Sequence, residues 1–205
     1  CLSRGLGDVY KRQKPGYYVL SSNLTGALVS GYCIGVFASD VVINGDSHWL
    51  TSGGAVGIYV APGSTNVTIE DVAVTSYSIG IVVSSSGVRV MNSTVSSSSW
   101  YGISVNGDND TIVNSNVTNG VWVVGDNDTI VNSNVSSSWE GANIIGSYDS
   151  VINSTVSGNQ SVGVQIIGSY DSVINSTVRC NHWYGIYVNG DNDTIVNSNV
   201  TNGVW

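Results

Sequence analysis

The sequence predicts an all-β fold, a single-domain right-handed parallel β-helix of about 8 to 9 coils of mostly 21–22 residues. Three observations carry that prediction. The composition, with 25 Gly, abundant Ser, Asn, Thr and Val, 10% charged residues and two Pro, suits many short strands joined by turns. A glycine followed by an alternating apolar pair recurs at Gly35, Gly57, Gly80, Gly102, Gly120, Gly141, Gly163, Gly185 and Gly203, in steps of 22, 23, 22, 18, 21, 22, 22 and 18 residues. A second apolar block follows most of these glycines, seen at Ile112–Val117 and Val151–Val156. Each unit therefore holds two or three short strands.

Repeats of this length also admit a leucine-rich horseshoe or a propeller. Leucine is scarce, and a propeller blade needs about 40 residues, whereas alternation here resets in about half of that. Stacked coils remain. Period-two alternation then assigns inward columns. One runs through Ile58, Ile81, Ile103, Val121, Val164 and Ile186, and another through Ile69, Val90, Ile112, Ile130, Val151, Val173 and Ile195. A single coil cannot bury its apolar face, so stability is a sum over coil interfaces. Asn92, Asn114, Asn132, Asn153, Asn175 and Asn197 form a polar column at one bend, expected to point inward as an asparagine ladder that passes hydrogen bonds up the stack.

Residues 101–122 and 184–205 differ only at Ser104 against Tyr187, and residues 144–156 and 166–178 are identical, which implies recent internal duplication. Residues 1–13 share neither this composition nor this period. Their Asp8–Gln13 stretch resembles a translated sequencing-library adapter, so they are set apart as an artefact or a disordered head. Residues 14–31 are then expected to form an N-terminal capping segment and residues 32–205 the β-helix, continuing beyond the present C-terminus.

The formal net charge of −8 argues against nucleic acid or an anionic membrane surface as partner. No apolar run is long enough for a transmembrane segment. Neither an export signal nor a cofactor motif is present in this stretch, and the many Asn-x-Ser/Thr acceptors, such as Asn23, Asn66 and Asn109, fit an extracellular or cell-surface setting.

The segments Gly16–Gly26, Cys33–Val36, Asp40–His48, Gly57–Val60 and Asn66–Ile69 resemble the start of right-handed β-helix domains of the pectate-lyase-like superfamily, and within it they resemble the NosD-like and carbohydrate-associated surface repeats of archaea and bacteria. The resemblance covers residues 16–205. It implies the fold well and the function poorly, because this superfamily includes polysaccharide lyases and hydrolases, copper-site maturation proteins and noncatalytic surface modules.

Candidate chemistry is weighed on the residues. Uronate elimination, as lyases of this fold perform it, needs a basic proton acceptor, and only Arg89 and Arg179 lie in the repeats. Hydrolysis needs two carboxylates in set roles, which Asp108 and Asp110 offer, yet Gly-Asp-Asn-Asp-Thr returns at Gly125–Thr129 and Gly190–Thr194 and becomes Gly-Ser-Tyr-Asp-Ser at Gly146 and Gly168. A turn recurs on every coil, whereas a catalytic centre is unique. Asp108, Asp110, Asp126 and Asp128 would also crowd four carboxylates on adjacent turns, an oxygen cluster of the kind calcium prefers. Copper would call on Cys33, His48, Met91, Cys180 and His182, of which only Cys180 and His182 are near in sequence.

Phe37, Tyr59, Trp122, Tyr187 and Trp205 line one outward column of the first strand, with Trp100, Tyr101, Trp139, Trp183 and Tyr184 on the bend just before it. Such a face suits stacking on sugar rings or on a partner. The expected function is therefore a noncatalytic β-helix module serving as spacer, adhesin or binding surface for a polysaccharide or cell-surface protein. A polysaccharide-degrading enzyme, hydrolase ahead of lyase, with its site partly outside this stretch is the alternative, and a NosD-like copper role a lesser one.

Overall fold

A computed structural model describes residues 10–25, 31–96, 98–136, 138–179 and 181–205. Every element among them is a β-strand or a turn, and no helix is long and apolar enough to cross a membrane. The strands form three nine-stranded parallel sheets, and each coil contributes one strand to each sheet in turn. The expected two or three strands per unit are three. The stack also reaches below residue 32, because Tyr10–Arg12, Gly16–Val19 and Leu24–Thr25 open the first, second and third sheets and pair with the next coil. Of the segment expected to cap, the described residues include the first strands of the second and third sheets, Gly16–Val19 and Leu24–Thr25.

Like stacks on like, as the repeat requires. Ile34, Ile58, Ile81, Ile103, Val121, Ala142, Val164 and Ile186 are in register on the first sheet. Ile43, Ile69, Val90, Ile112, Ile130, Val151, Val173 and Ile195 are in register on the second. Branched side chains suit this pleated, doubly contacted surface. A third column, Leu50, Val74, Val95, Val117, Val135, Val156 and Val178, is buried on the third sheet and completes the core.

The corner between the second and third sheets corrects the asparagine ladder. Asn92, Asn114, Asn132, Asn153, Asn175 and Asn197 are all exposed, with φ between 49° and 51°. Asn tolerates the left-handed conformation that a two-residue corner needs, and adopting it flips the inside–outside alternation by one residue. The following serine therefore turns inward. The N–H of Ser93 donates to Ser115 Oγ at 3.2 Å, and Ser115 to Ser133, Ser133 to Ser154, Ser154 to Ser176 and Ser176 to Ser198 follow at 3.1 Å each. Each of Ser93, Ser115, Ser133, Ser154 and Ser176 also donates its hydroxyl to the carbonyl two residues back. Of these six corner asparagines, Asn114 donates from its amide to Asn92 Oδ1 at 3.3 Å. Ser133→Ala strands the buried Ser115 N–H, and urea unfolding is expected to register a loss of about 1–3 kcal/mol.

The corner between the first and second sheets repeats the device with a different acceptor. Its left-handed residues are Asp40, Asn66, Gly87, Asn109, Asn127, Tyr148, Tyr170 and Asn192, and the residue after each turns inward. In the early coils that residue is Val41, Val67 or Val88, and from the fifth coil on it is aspartate. The Val88 N–H donates to Asp110 Oδ1 at 2.6 Å, Asp110 to Asp128 and Asp128 to Asp149 at 2.7 Å, and Asp149 to Asp171 and Asp171 to Asp193 at 2.8 Å.

Candidate functional site

The bend from the third sheet back to the first is the part of the coil that varies in length. The two-residue bend Asn119-Gly120 and the six-residue bend 158–163 hold no aromatic residue, whereas the bends that precede Tyr101, Ala142 and Ile186 carry Trp100, Trp139 and Trp183. These three tryptophans are 73%, 63% and 60% exposed. They sit on alternate coils, so at about 4.8 Å per strand they stand about 10 Å apart along the axis.

Two shallow clefts separate them. Ser99, Tyr101, Asn119, Ser138 and Glu140 line the cleft between Trp100 and Trp139. Gly158, Asn159, Gln160, Asn181 and His182 line the larger one, of about 740 Å³, between Trp139 and Trp183. Buried amides brace its floor. Asn159 donates from Nδ2 to Asn181 Oδ1 at 2.9 Å and accepts from the Ser138 hydroxyl at 3.0 Å. The Asn181 Nδ2 is buried and donates to no protein acceptor. In the other cleft Glu140 accepts from Asn143 Nδ2, three residues on, at 2.6 Å. Burial, and then Glu140, pushes the Tyr101 hydroxyl above its ordinary pKa.

The outward column of the first sheet is less continuous than expected. Tyr59, Val82, Ser104, Trp122, Asn143, Gln165 and Tyr187 follow one another in register, and all are partly or fully buried. Phe37 is not in that column, because Gly35 pairs with Tyr59. The side chain that Gly35 lacks leaves a slot that the Tyr32 and Phe37 rings fill. Phe37 instead meets Tyr59 edge to face at 6.1 Å. The aromatics thus gather in three groups: Tyr32, Phe37 and Tyr59; Tyr101 and Trp122, 5.4 Å apart; and Tyr184, Tyr187 and Trp205, stacked at 5.3–5.6 Å on Trp205. Trp205, at the last position of the column, is itself 66% exposed, and the bend tryptophans, which the sequence placed beside the column, are accessible to a similar degree.

The four carboxylates expected to crowd together divide instead. Asp108 and Asp126 are exposed while Asp110 and Asp128 are buried, because a left-handed residue stands between the two aspartates of each turn. The same division separates the pair that hydrolysis would need. Among the described residues no three His, Cys, Asp or Glu side chains are grouped to hold a metal ion. Of the copper candidates, Cys33 is buried in the first sheet, Met91 lies on the second, His48 meets the Gly45 carbonyl, and His182 is exposed in the tryptophan cleft. Cys180 lies outside the described residues. Arg89 and Arg179 lie on different sheets.

Sequence reasoning did not single out the inward aspartate column as a unit. Asp110, Asp128, Asp149 and Asp171 are each 1–4% exposed, and their Oδ2 atoms have no protein partner. The void beside Asp110, Asp128 and Asp149 measures about 10 Å³, room for about one water. Burial pushes the carboxyls up, to about 7 for Asp110, about 8 for Asp128, about 7 for Asp149 and about 6 for Asp171. The hydrogen bond each accepts from the coil before opposes this, and neighbouring aspartates add to it.

No curated protein matches the chain. Solved structures similar to it include the Dettilon tailspike protein, at TM-score 0.59 and 11% identity over 90% of this chain and 53% of that one. Pectate lyase Pel9A follows at TM-score 0.57 and 15% identity over 99% and 68%, and an alginate lyase from Paenibacillus sp. at 0.51 and 13% over 95% and 90%. The chain thus spans about half the length of the tailspike. At these identities the likeness is one of fold. A family model described as right handed beta helix region matches residues 78–205, and the chain belongs to that right-handed β-helix family.

Proposed function

We propose that this chain is a noncatalytic, extracellular β-helix module that binds an extended, uncharged polysaccharide along the line of Trp100, Trp139 and Trp183. The carrying observation is the placement of three well-exposed tryptophans on alternate coils, about 10 Å apart, a repeat that a chain of pyranose rings can meet on every second ring. Amides, Glu140 and His182 in the clefts between them supply donors and acceptors for sugar hydroxyls. The net charge of −8 disfavours a uronate polymer and favours a neutral glycan. The noncatalytic part of the reading is supported by the turn carboxylates, which recur from coil to coil and, at Asp108/Asp110 and Asp126/Asp128, face opposite ways.

Tryptophan fluorescence titrated with a soluble neutral β-glucan and with polygalacturonate tests it. The neutral polymer is expected to bind, and Trp139→Ala or Trp183→Ala to weaken it about 3- to 10-fold each. Undiminished binding by the triple alanine variant, or a preference for the uronate polymer, would sink the proposal. Release of reducing ends or unsaturated products would support the enzymatic alternative instead.

A further inference from the structure

On the corner between the first and second sheets, well away along the coil from the tryptophan bend, Tyr148 and Tyr170 replace the asparagine that Asn109, Asn127 and Asn192 supply. Their φ angles are 63° and 65°, a conformation that a bulky aromatic residue adopts under strain and Asn adopts easily. Neither ring serves the core, since they are 57% and 53% exposed. They lie parallel, 5.1 Å apart and 5° between planes. Stacked on each other, they turn their outer faces toward the coils of Asn127 and Asn192.

Each of those coils places a carboxylate at the preceding position, Asp126 on one side of the pair and Asp191 on the other, and both are exposed. Asp126 is held by the Ser147 N–H at 2.9 Å, and the Asp191 N–H is held by Ser169 Oγ at 3.2 Å. After residue 14 the chain contains only Arg89 and Arg179 as cations of its own, on strands of the second and third sheets. The first bond fixes the Asp126 carboxylate and the second the Asp191 backbone, and an exposed aromatic face next to an exposed carboxylate is the combination that a guanidinium satisfies, by stacking on the ring and pairing in plane with the acid.

We infer that the Tyr148–Tyr170 pair, flanked by Asp126 and Asp191, is a docking site for arginine side chains of a basic partner segment lying along the solenoid axis. The two open faces are three coil spacings apart at the level of the flanking turns, about 14 Å, so one extended segment reaches both with two arginines. The site is independent of the glycan line, which occupies another corner of the coil.

A fluorescein-labelled peptide of alternating Arg and Gly, its Lys counterpart and a neutral β-glucan are titrated against the full chain at low and at 0.5 M salt. The Arg peptide is expected to bind, to bind more tightly than the Lys peptide, and to weaken in salt. The Tyr148→Asn/Tyr170→Asn variant restores the residue of neighbouring coils, so its unfolding temperature is expected to hold or rise while peptide affinity drops at least 10-fold. Asp126→Asn is expected to reduce affinity and its salt dependence with the fold unchanged. Affinity unchanged in the double Asn variant, Lys binding as tightly as Arg, or salt-independent glycan binding at the tyrosines would each overturn the inference.

Discussion

The unfolding temperature is expected to fall as pH rises from about 4 to about 8 and to level off above that. The cause is the inward aspartate column, whose members sit at about 6 to about 8 in the folded chain, against about 3.9 in an unfolded one. Folded-state values raised above unfolded ones mean that the folded protein binds more protons in the window between them. Its stability is therefore complete below about pH 4 and is lost as pH climbs through the folded values. Each group contributes up to about 1.4 kcal/mol per pH unit. The slope is steepest near pH 5, where all four are protonated in the fold and ionised outside it. The geometry gives the same answer, since an ionised Oδ2 in this position is buried with no protein donor to compensate it. Asp128→Asn keeps an Oδ1 acceptor for the Asp110 N–H and cannot ionise, so it is expected to flatten the profile. Circular dichroism melts from pH 4 to 9 check both, and a level profile in the parent chain would mean that water reaches the carboxyls.

Gly168→Ala is expected to cost about 4 kcal/mol or more, or to prevent folding. Gly146, Gly168 and Gly190 are in register at the end of the first sheet. A Cβ on Gly168 would overlap the Gly146 carbonyl oxygen and lie 2.9 Å from Asp171 Oδ2. Backbone is on one side and the aspartate column on the other, so neither neighbour can give way without opening the coil interface. Gly53→Ala is the matched control, because a Cβ there meets nothing within 4 Å, and its unfolding temperature is expected to be near that of the parent chain. Limited proteolysis and thermal melts of the two variants side by side provide the comparison.

The periodic part of this protein was legible because one rule, apolar alternation reset by glycine, governs every strand. It placed Ile58, Ile103 and Ile186 in one column and Ile69, Ile112 and Val151 in another, as the registers have them. The corners were misread because alternation fails at a left-handed residue. Counting by twos through Asn114 puts that amide inside, whereas its φ of 51° turns it out and brings Ser115 in. The same phase flip at Asn109 sends Asp108 and Asp110 to opposite sides. A signal was available, since Asn-Ser and Asn-Asp recur at fixed places in the repeat and Asn is the residue most at home in that conformation. The tryptophans of the bend were visible as letters, but their exposure depends on bend lengths that no periodicity encodes.

Both polar columns run the same way. In each, the N–H of one coil is met by a side chain of the coil that comes after it, Ser93 by Ser115 and Asp110 by Asp128. The stack therefore has a direction in which it can be assembled. Within each column a newly added coil meets the donor of its predecessor and presents an unmet donor of its own, so growth from the N-terminal side leaves one open donor per polar column at the advancing edge, whatever the length already built.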